Sequence, residues 1–146
     1  MALTTHLAKV GEDLDAKIKK SLEHHDPNTP YVIADFGCAG CANSLLFMDF
    51  VIDSATKIVP GLKFQLLFED LPDNDFSVAA KAVNEHYKDR PNVFPSFVGR
   101  SMYEQISPDS SINCSGCFTA MHWMSRFPGP FPGRFHGEED NKEWAD

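Results

Sequence analysis

The sequence predicts an α/β protein built on a parallel sheet, and three observations lead to that expectation. Short runs of β-branched and aromatic residues alternate with longer segments of helical periodicity, as in strands joined by helical crossovers. Clusters of Pro, Gly, Asn and Asp ("HHDPNTP", "PG", "LPDND") separate the runs. The chain has 146 residues, 42% of them hydrophobic and twelve of them Phe, which suits one domain with a sizeable core. In such sheets, ligands bind beyond the carboxyl ends of the strands, where the strand order reverses.

Each element follows from its residues. Leu7, Val10, Leu14, Ile18 and Leu22 recur at steps of three and four among charged residues, which predicts an amphipathic helix. The breaker cluster at 24–30 ends it, and its His24 and His25 are read as solvated loop residues. "YVIADF" (31–36) is a buried strand stopped by Gly37. From Asn43 the period turns helical again, with Leu45, Met48, Ile52, Ala55 and Val59 on one face and Pro60-Gly61 as the stop. "LKFQLLF" (62–68) is a second strand, followed by a polar turn whose Asn74, Asp75 and Ser77 are all candidate helix caps. Phe76, Ala80, Val83 and Tyr87 mark the buried stripe of a third helix. "NVFPSFV" (92–98) is a strand that carries Pro95, which confines it to an edge or an end. Residues 110–118 alternate Ile112, Cys114, Gly116 and Phe118 as a fourth strand. The four turns that matter for a ligand are therefore 36–43, 69–75, 100–103 and 117–123.

Charge and composition exclude some partners. Thirteen basic against twenty-one acidic side chains give a net charge of -8, which argues against a nucleic-acid backbone. The acids concentrate in "GEEDNKEWAD", read as a solvated tail. No apolar run approaches the ~18 residues of a membrane span. The N-terminus acquires charge too early for the apolar core of a signal peptide. The expected location is thus cytoplasmic, with the four cysteines reduced.

The cysteines form two C-x-x-C pairs, Cys38 with Cys41 and Cys114 with Cys117, and three readings are open. Four thiolates could hold zinc, although the usual gap between the pairs is ~15–20 residues and here it is far wider. A strand, a sharp turn and C-x-x-C at a helix start is also how a redox thiol is activated. Against that, Asp35 lies beside the thiols, and the aromatic residue and Pro usual around such pairs are missing. Third, "DFGCAGC" reads as strand, acid and small residues, a loop that a ligand can approach closely. It has neither the Lys of a phosphate loop nor a full G-x-G-x-x-G. A loop led by Asp suits a positively charged ligand such as S-adenosylmethionine. Asp70, at the next strand end, is then placed for ribose hydroxyls.

"IADFGCAGCANSLL", "FEDLPDNDF" and "RSMYEQISPDSSINCSGCFTAMHWMSRFP" together resemble the SABATH family of S-adenosylmethionine-dependent methyltransferases. The family includes the salicylate and jasmonate carboxyl methyltransferases and the caffeine-pathway N-methyltransferases. Its patterns run as A-D-L-G-C-S-S-G-P-N-T, N-D-L-P-G-N-D-F, G-S-F-Y-x-x-L-F-P and S-x-H-W-L-S-x-V-P. The match covers about residues 31–128, with its blocks in order.

The resemblance implies a Rossmann-like class I methyltransferase sheet, incomplete, with the first four strands and their flanking helices. It implies S-adenosylmethionine as cofactor. Cys38 and Asn43 are expected against its methionine part, with Asp35 and Gly37 shaping the loop. Asp70 is expected at the ribose, and Leu71, Ser101 and Met102 near the adenine. Phe118 and Thr119 fall between cofactor and acceptor, and His122 and Trp123 match the acceptor-binding His-Trp. The partner implied is a small-molecule acceptor, most simply a carboxylate, which is already ionised and needs no general base. No residue acts as a nucleophile, no metal is expected, and a homodimer is allowed.

The sequence also departs from the family. It lacks the N-terminal Tyr-x-x-Asn-Ser-x-x-Gln segment, it has Asp73 where the family has Gly, and Gly40-Cys41-Ala42 stands in place of the loop's usual Gly-Pro. Cys41 is therefore expected to have no redox role. Residues 1–146 read as the N-terminal part of one domain, with 129–146 a Pro/Gly-rich loop and the start of a truncated helix. The expectations are an open apolar edge on the fourth strand, marginal stability and weak or absent cofactor binding. The alternative is a truncated remnant or cofactor-binding module without activity.

Overall fold

The structure, a computed structural model, describes residues 2–118 and 120, with side chains from residue 11 onward. Leu7 and Val10 therefore lie outside the described side chains, and Thr119, His122, Trp123 and the acidic tail lie outside the described residues. The order of elements is α1 (Ala2–Leu22), β1 (Tyr31–Phe36), α2 (Ala42–Ile58), β2 (Phe64–Asp70), α3 (Phe76–His86), β3 (Val93–Gly99) and β4 (Cys114–Gly116). The strands form one sheet in the order β3-β2-β1-β4, with every neighbouring pair parallel. The predicted α/β architecture is the observed one.

β1 is central and runs as a nearly continuous buried strand, because it has a partner on each edge and α2 packed against it. Tyr31, Ile33, Phe64, Leu66 and Phe68 are fully buried around it, with Ile18 of α1 and Met48, Val51 and Ala55 of α2. Pro95 sits on β3, an outer strand, where its missing N–H costs no ladder bond. Of the three candidate caps, Asp75 caps α3, its Oδ1 accepting from the Ser77 amide at 3.0 Å. The buried stripe of α3 is carried by Ala79, Val83 and the following Tyr87. Ala80, placed in that stripe by the sequence pattern, is only half-buried.

Strand boundaries differ from expectation: β2 begins at Phe64 instead of Leu62, and β3 spans Val93–Gly99 instead of 92–98. β2 runs on to Asp70, because the ladder with β3 pairs Glu69 with Val98 and Asp70 with Gly99. β4 is three residues long instead of the nine suggested by alternation. Ser110 takes a positive φ of 58°, which turns the chain before it can extend. Only Cys114, Ser115 and Gly116 then lie opposite Ile33, Ala34 and Asp35. Asn113 anchors the approach: its amide donates to the Val32 carbonyl and its Oδ1 accepts from the Val32 amide, at 2.9 and 2.8 Å. Strand order reverses between β1 and β4, so the crevice for a ligand opens at the carboxyl ends of those strands and of β2.

Candidate functional site

The loop leaving β1 carries most of the unusual geometry in the described chain. Gly37 has φ 76°, and Ala39 and Cys41 are also left-handed, at 46° and 63°. A non-glycine residue in that region costs about 1–3 kcal/mol and persists only where its surroundings hold it. The hold comes from the last two residues of β2 and the turn that follows. The Glu69 carbonyl accepts from the amides of Gly37 and Cys38 at 3.0 and 2.9 Å. The Glu69 Oε2 accepts a further bond from Gly37 at 3.0 Å. Asp70 Oδ2 accepts from the Ala39 amide at 2.6 Å, and Asn74 Nδ2 donates to the Ala39 carbonyl at 3.1 Å. The two sequence blocks around "DFGCAGC" and "EDLPDND" are thus one hydrogen-bonded assembly.

A cavity of about 490 Å³ lies on one side of this loop, lined by Gly37, Ala39, Glu69, Asp70, Leu71, Ser101, Met102, Tyr103 and Ala120. A smaller one of about 140 Å³ lies on the other, lined by Asp35, residues 37–44 and Phe118. Gly37 and Ala39 belong to both. All nine residues expected at the cofactor fall on these walls. Asp70, Leu71, Ser101 and Met102 line the larger cavity, Asp35, Cys38, Asn43 and Phe118 the smaller, and Gly37 both. The expected acceptor residues Thr119, His122 and Trp123 lie outside the described residues.

Three carboxylates, Asp35, Glu69 and Asp70, line the cavities, and no Lys or Arg joins them among the described lining residues. Asp35 is 1% exposed. Its Oδ2 accepts from the Ser44 hydroxyl, and its Oδ1 has no partner among the described residues. Burial pushes its carboxyl above the usual range, Ser44 opposes that, and the Asp70 charge adds to it. Glu69 is likewise pushed up, by burial first, with its bond from Gly37 opposing. Asp70 spends its two oxygens on the Ala39 and Leu71 amides, and each oxygen keeps a lone pair for a further donor.

Gly37 is required twice over. Its φ is left-handed, and a Cβ there would stand 2.3 Å from the Ala120 Cβ. Sequence reasoning missed Glu69 and Ser44. A Glu beside the ribose-type Asp at an otherwise apolar strand end was the available signal for the first. Ser44, nine residues after Asp35 and on the first turn of α2, gave none. Among the described residues, no group of three or more His, Cys, Asp or Glu side chains is arranged to hold a metal. No helix among them is long and apolar enough to cross a membrane.

Comparison with known proteins gives a consistent result. The family described as SAM dependent carboxyl methyltransferase matches residues 3–143. Loganic acid O-methyltransferase of Catharanthus roseus is 31% identical over 107 residues, which are 70% of this chain and 28% of that protein. Gibberellic acid methyltransferase 2 of Arabidopsis thaliana is 30% identical over 118 residues, 75% of this chain and 30% of that one. Jasmonate O-methyltransferase of the same plant is 27% identical over 135 residues, 79% and 34% of the two chains. The solved structure of loganic acid methyltransferase with SAH superposes with a TM-score of 0.64 at 27% identity, covering 82% of this chain and 36% of that one. The chain therefore spans about a third or less of the length of these relatives.

Proposed function

The chain belongs to the SAM dependent carboxyl methyltransferase family, and from that premise we propose that it binds S-adenosylmethionine in the paired cavities and serves methyl transfer to a small-molecule carboxylate in the cytoplasm. The observation that carries this reading is the acidic lining, without Lys or Arg among the described residues, around a buried Asp35 oxygen that has no partner among them. That donor set fits a ligand bearing a sulfonium and an ammonium better than it fits a phosphate. When bound, S-adenosylmethionine supplies an electrophilic methyl group.

The residues would divide the work as follows. Asp70 accepts from the ribose hydroxyls while the Ala39 and Leu71 amides hold its carboxylate still. Leu71, Met102 and Tyr103 form the apolar wall for the adenine, with Ser101 at its polar edge. Asn43, Cys38 and the free oxygen of Asp35 face the amino-acid end. Phe118 closes that side, its ring 5.3 Å from that of Phe47. Thr119, His122 and Trp123 would position the acceptor. A carboxylate acceptor has a pKa near ~4 and arrives as the anion. The protein then needs no base, only alignment, an effect worth up to ~7–11 kcal/mol.

The test is incubation with methyl-labelled S-adenosylmethionine and a panel of small carboxylic acids. Base-labile label in a methyl ester supports the proposal; label on nitrogen overturns the carboxylate assignment. Cofactor binding with no label on any acceptor favours a binding module without activity.

A further inference from the structure

The spacing C-x-x-C occurs twice, and the backbone treats the two copies oppositely. β4 is extended over Cys114–Gly116, at about 3.3 Å per residue, which carries Cys117 away from Cys114. Between Cys38 and Cys41 the chain instead folds back. The Cys41 amide donates to the Cys38 carbonyl at 2.7 Å, closing a four-residue turn. Such a turn brings its end Cα atoms within about 7 Å, the range in which a disulfide forms. The Cys38 thiol donates to the Ala39 carbonyl at 3.8 Å, and its nearness to Cys41 links the titration of the two thiols.

Their surroundings differ in a useful way. Cys41 occupies the N-cap position of α2 without a side-chain bond to the helix amides, and a helix start favours a thiolate. The neighbouring Cys38 thiol draws the Cys41 thiol down, while burial, Asp35 and Asp70 oppose. The Cys38 thiol is pushed up, first by the Cys41 thiol, then by burial and the neighbouring acids. Both side chains are buried, at 6% and 1% exposure, yet both line the cavity of about 140 Å³. That space admits a molecule of a few atoms and excludes a tripeptide disulfide.

We propose that Cys38 and Cys41 are an oxidisable dithiol in the wall of this cavity, which closes to a disulfide when hydrogen peroxide or a similarly small hydroperoxide enters. The Cys41 thiolate attacks one peroxide oxygen, the O–O bond breaks, and the released hydroxide takes up a proton and leaves as water. The Cys38 sulfur then attacks the Cys41 sulfenic acid; the S–S bond forms, the S–O bond breaks, and hydroxide departs with the Cys38 proton as a second water. Two thiols are oxidised and one peroxide is reduced. Position 41, where the family pattern A-D-L-G-C-S-S-G-P-N-T has Gly, is what makes the pair. The sequence alone gave Cys41 no such role because the turn is not visible in the spacing. On the functional reading above, the cofactor loop becomes responsive to peroxide, but the linkage is tested without any cofactor.

The experiment treats the reduced full chain with hydrogen peroxide, alkylates it, and maps the cysteines by mass spectrometry. The expected result is an unalkylated peptide holding Cys38 and Cys41 that has lost the mass of two hydrogens, with Cys114 and Cys117 still alkylated. Cys41→Ser should lose this linkage. The proposal is overturned if Cys38 and Cys41 stay unlinked while either other cysteine oxidises. It is also overturned if linkages are spread over all four cysteines in the same proportions as in the urea-unfolded chain.

Discussion

The carboxylate of Asp70 and the backbone of Ala39 are joined at 2.6 Å, and this bond ties the end of β2 to the strained turn after β1. Ala39 sits at φ 46°, in a region that an alanine avoids unless held. Asp70 therefore both shapes the loop and presents its remaining lone pairs to the larger cavity. Charge-assisted bonds of this kind are roughly twice as strong as neutral ones. Asp70→Ala should reduce cofactor affinity by about 100-fold, the equivalent of ~2.7 kcal/mol. Ligand-observed NMR with S-adenosylhomocysteine measures this directly.

Gly37 and Gly40 offer a paired test of the loop. A Cβ at Gly37 would meet Ala120 at 2.3 Å in a left-handed backbone, whereas one at Gly40 would meet nothing within 4 Å. Gly37→Ala should cost about 1–3 kcal/mol by overpacking and backbone strain. Gly40→Ala should stay within about 0.5 kcal/mol, as substitutions in open space do. Urea unfolding of the two variants separates these outcomes.

Ser44 donates to the buried carboxylate of Asp35. Ser44→Ala leaves Asp35 without that donor and should cost about 1–3 kcal/mol at neutral pH. The loss should shrink in acid, where a protonated carboxyl no longer needs the bond. A loss unchanged with pH would show that the hydroxyl serves something other than the Asp35 charge.

The pH dependence follows from Asp35 and Glu69, both pushed above their ordinary 3.8 and 4.5 by burial. In each case the folded state binds its proton more tightly than the unfolded chain does. Their stabilising contribution is complete below the ordinary values and is lost as pH rises through the raised ones. The urea midpoint should therefore climb as pH falls from neutrality towards 4.5. Asp35→Asn should flatten that slope. Cofactor affinity should run the other way, since a cationic ligand prefers ionised Asp35.

Much of this was legible in the sequence because local chemistry agreed with the fold. "YVIADF" gave β1 with its observed bounds, Pro95 marked an outer strand, and Asp75 was among the proposed caps of α3. β4 was overread because alternation at Ile112, Cys114, Gly116 and Phe118 does not reveal the turn at Ser110. In the site, Asp35, Gly37 and Asp70 stood out by residue type and place. Glu69 and Ser44 did not, because each acts through a bond across the fold, 32 residues to Gly37 and nine to Asp35. The difference between the two C-x-x-C pairs was invisible for the same reason: spacing does not say whether the backbone turns.

If the cavities flanking residues 37–41 are a cofactor site, calorimetric titration of the chain with S-adenosylhomocysteine will show it. Saturable one-to-one binding is expected, with Kd about 0.1 mM, or ~-5.5 kcal/mol, and lost in Asp70→Ala. Absence of saturable binding to a chain that unfolds cooperatively, or equal binding by Asp70→Ala, would contradict it.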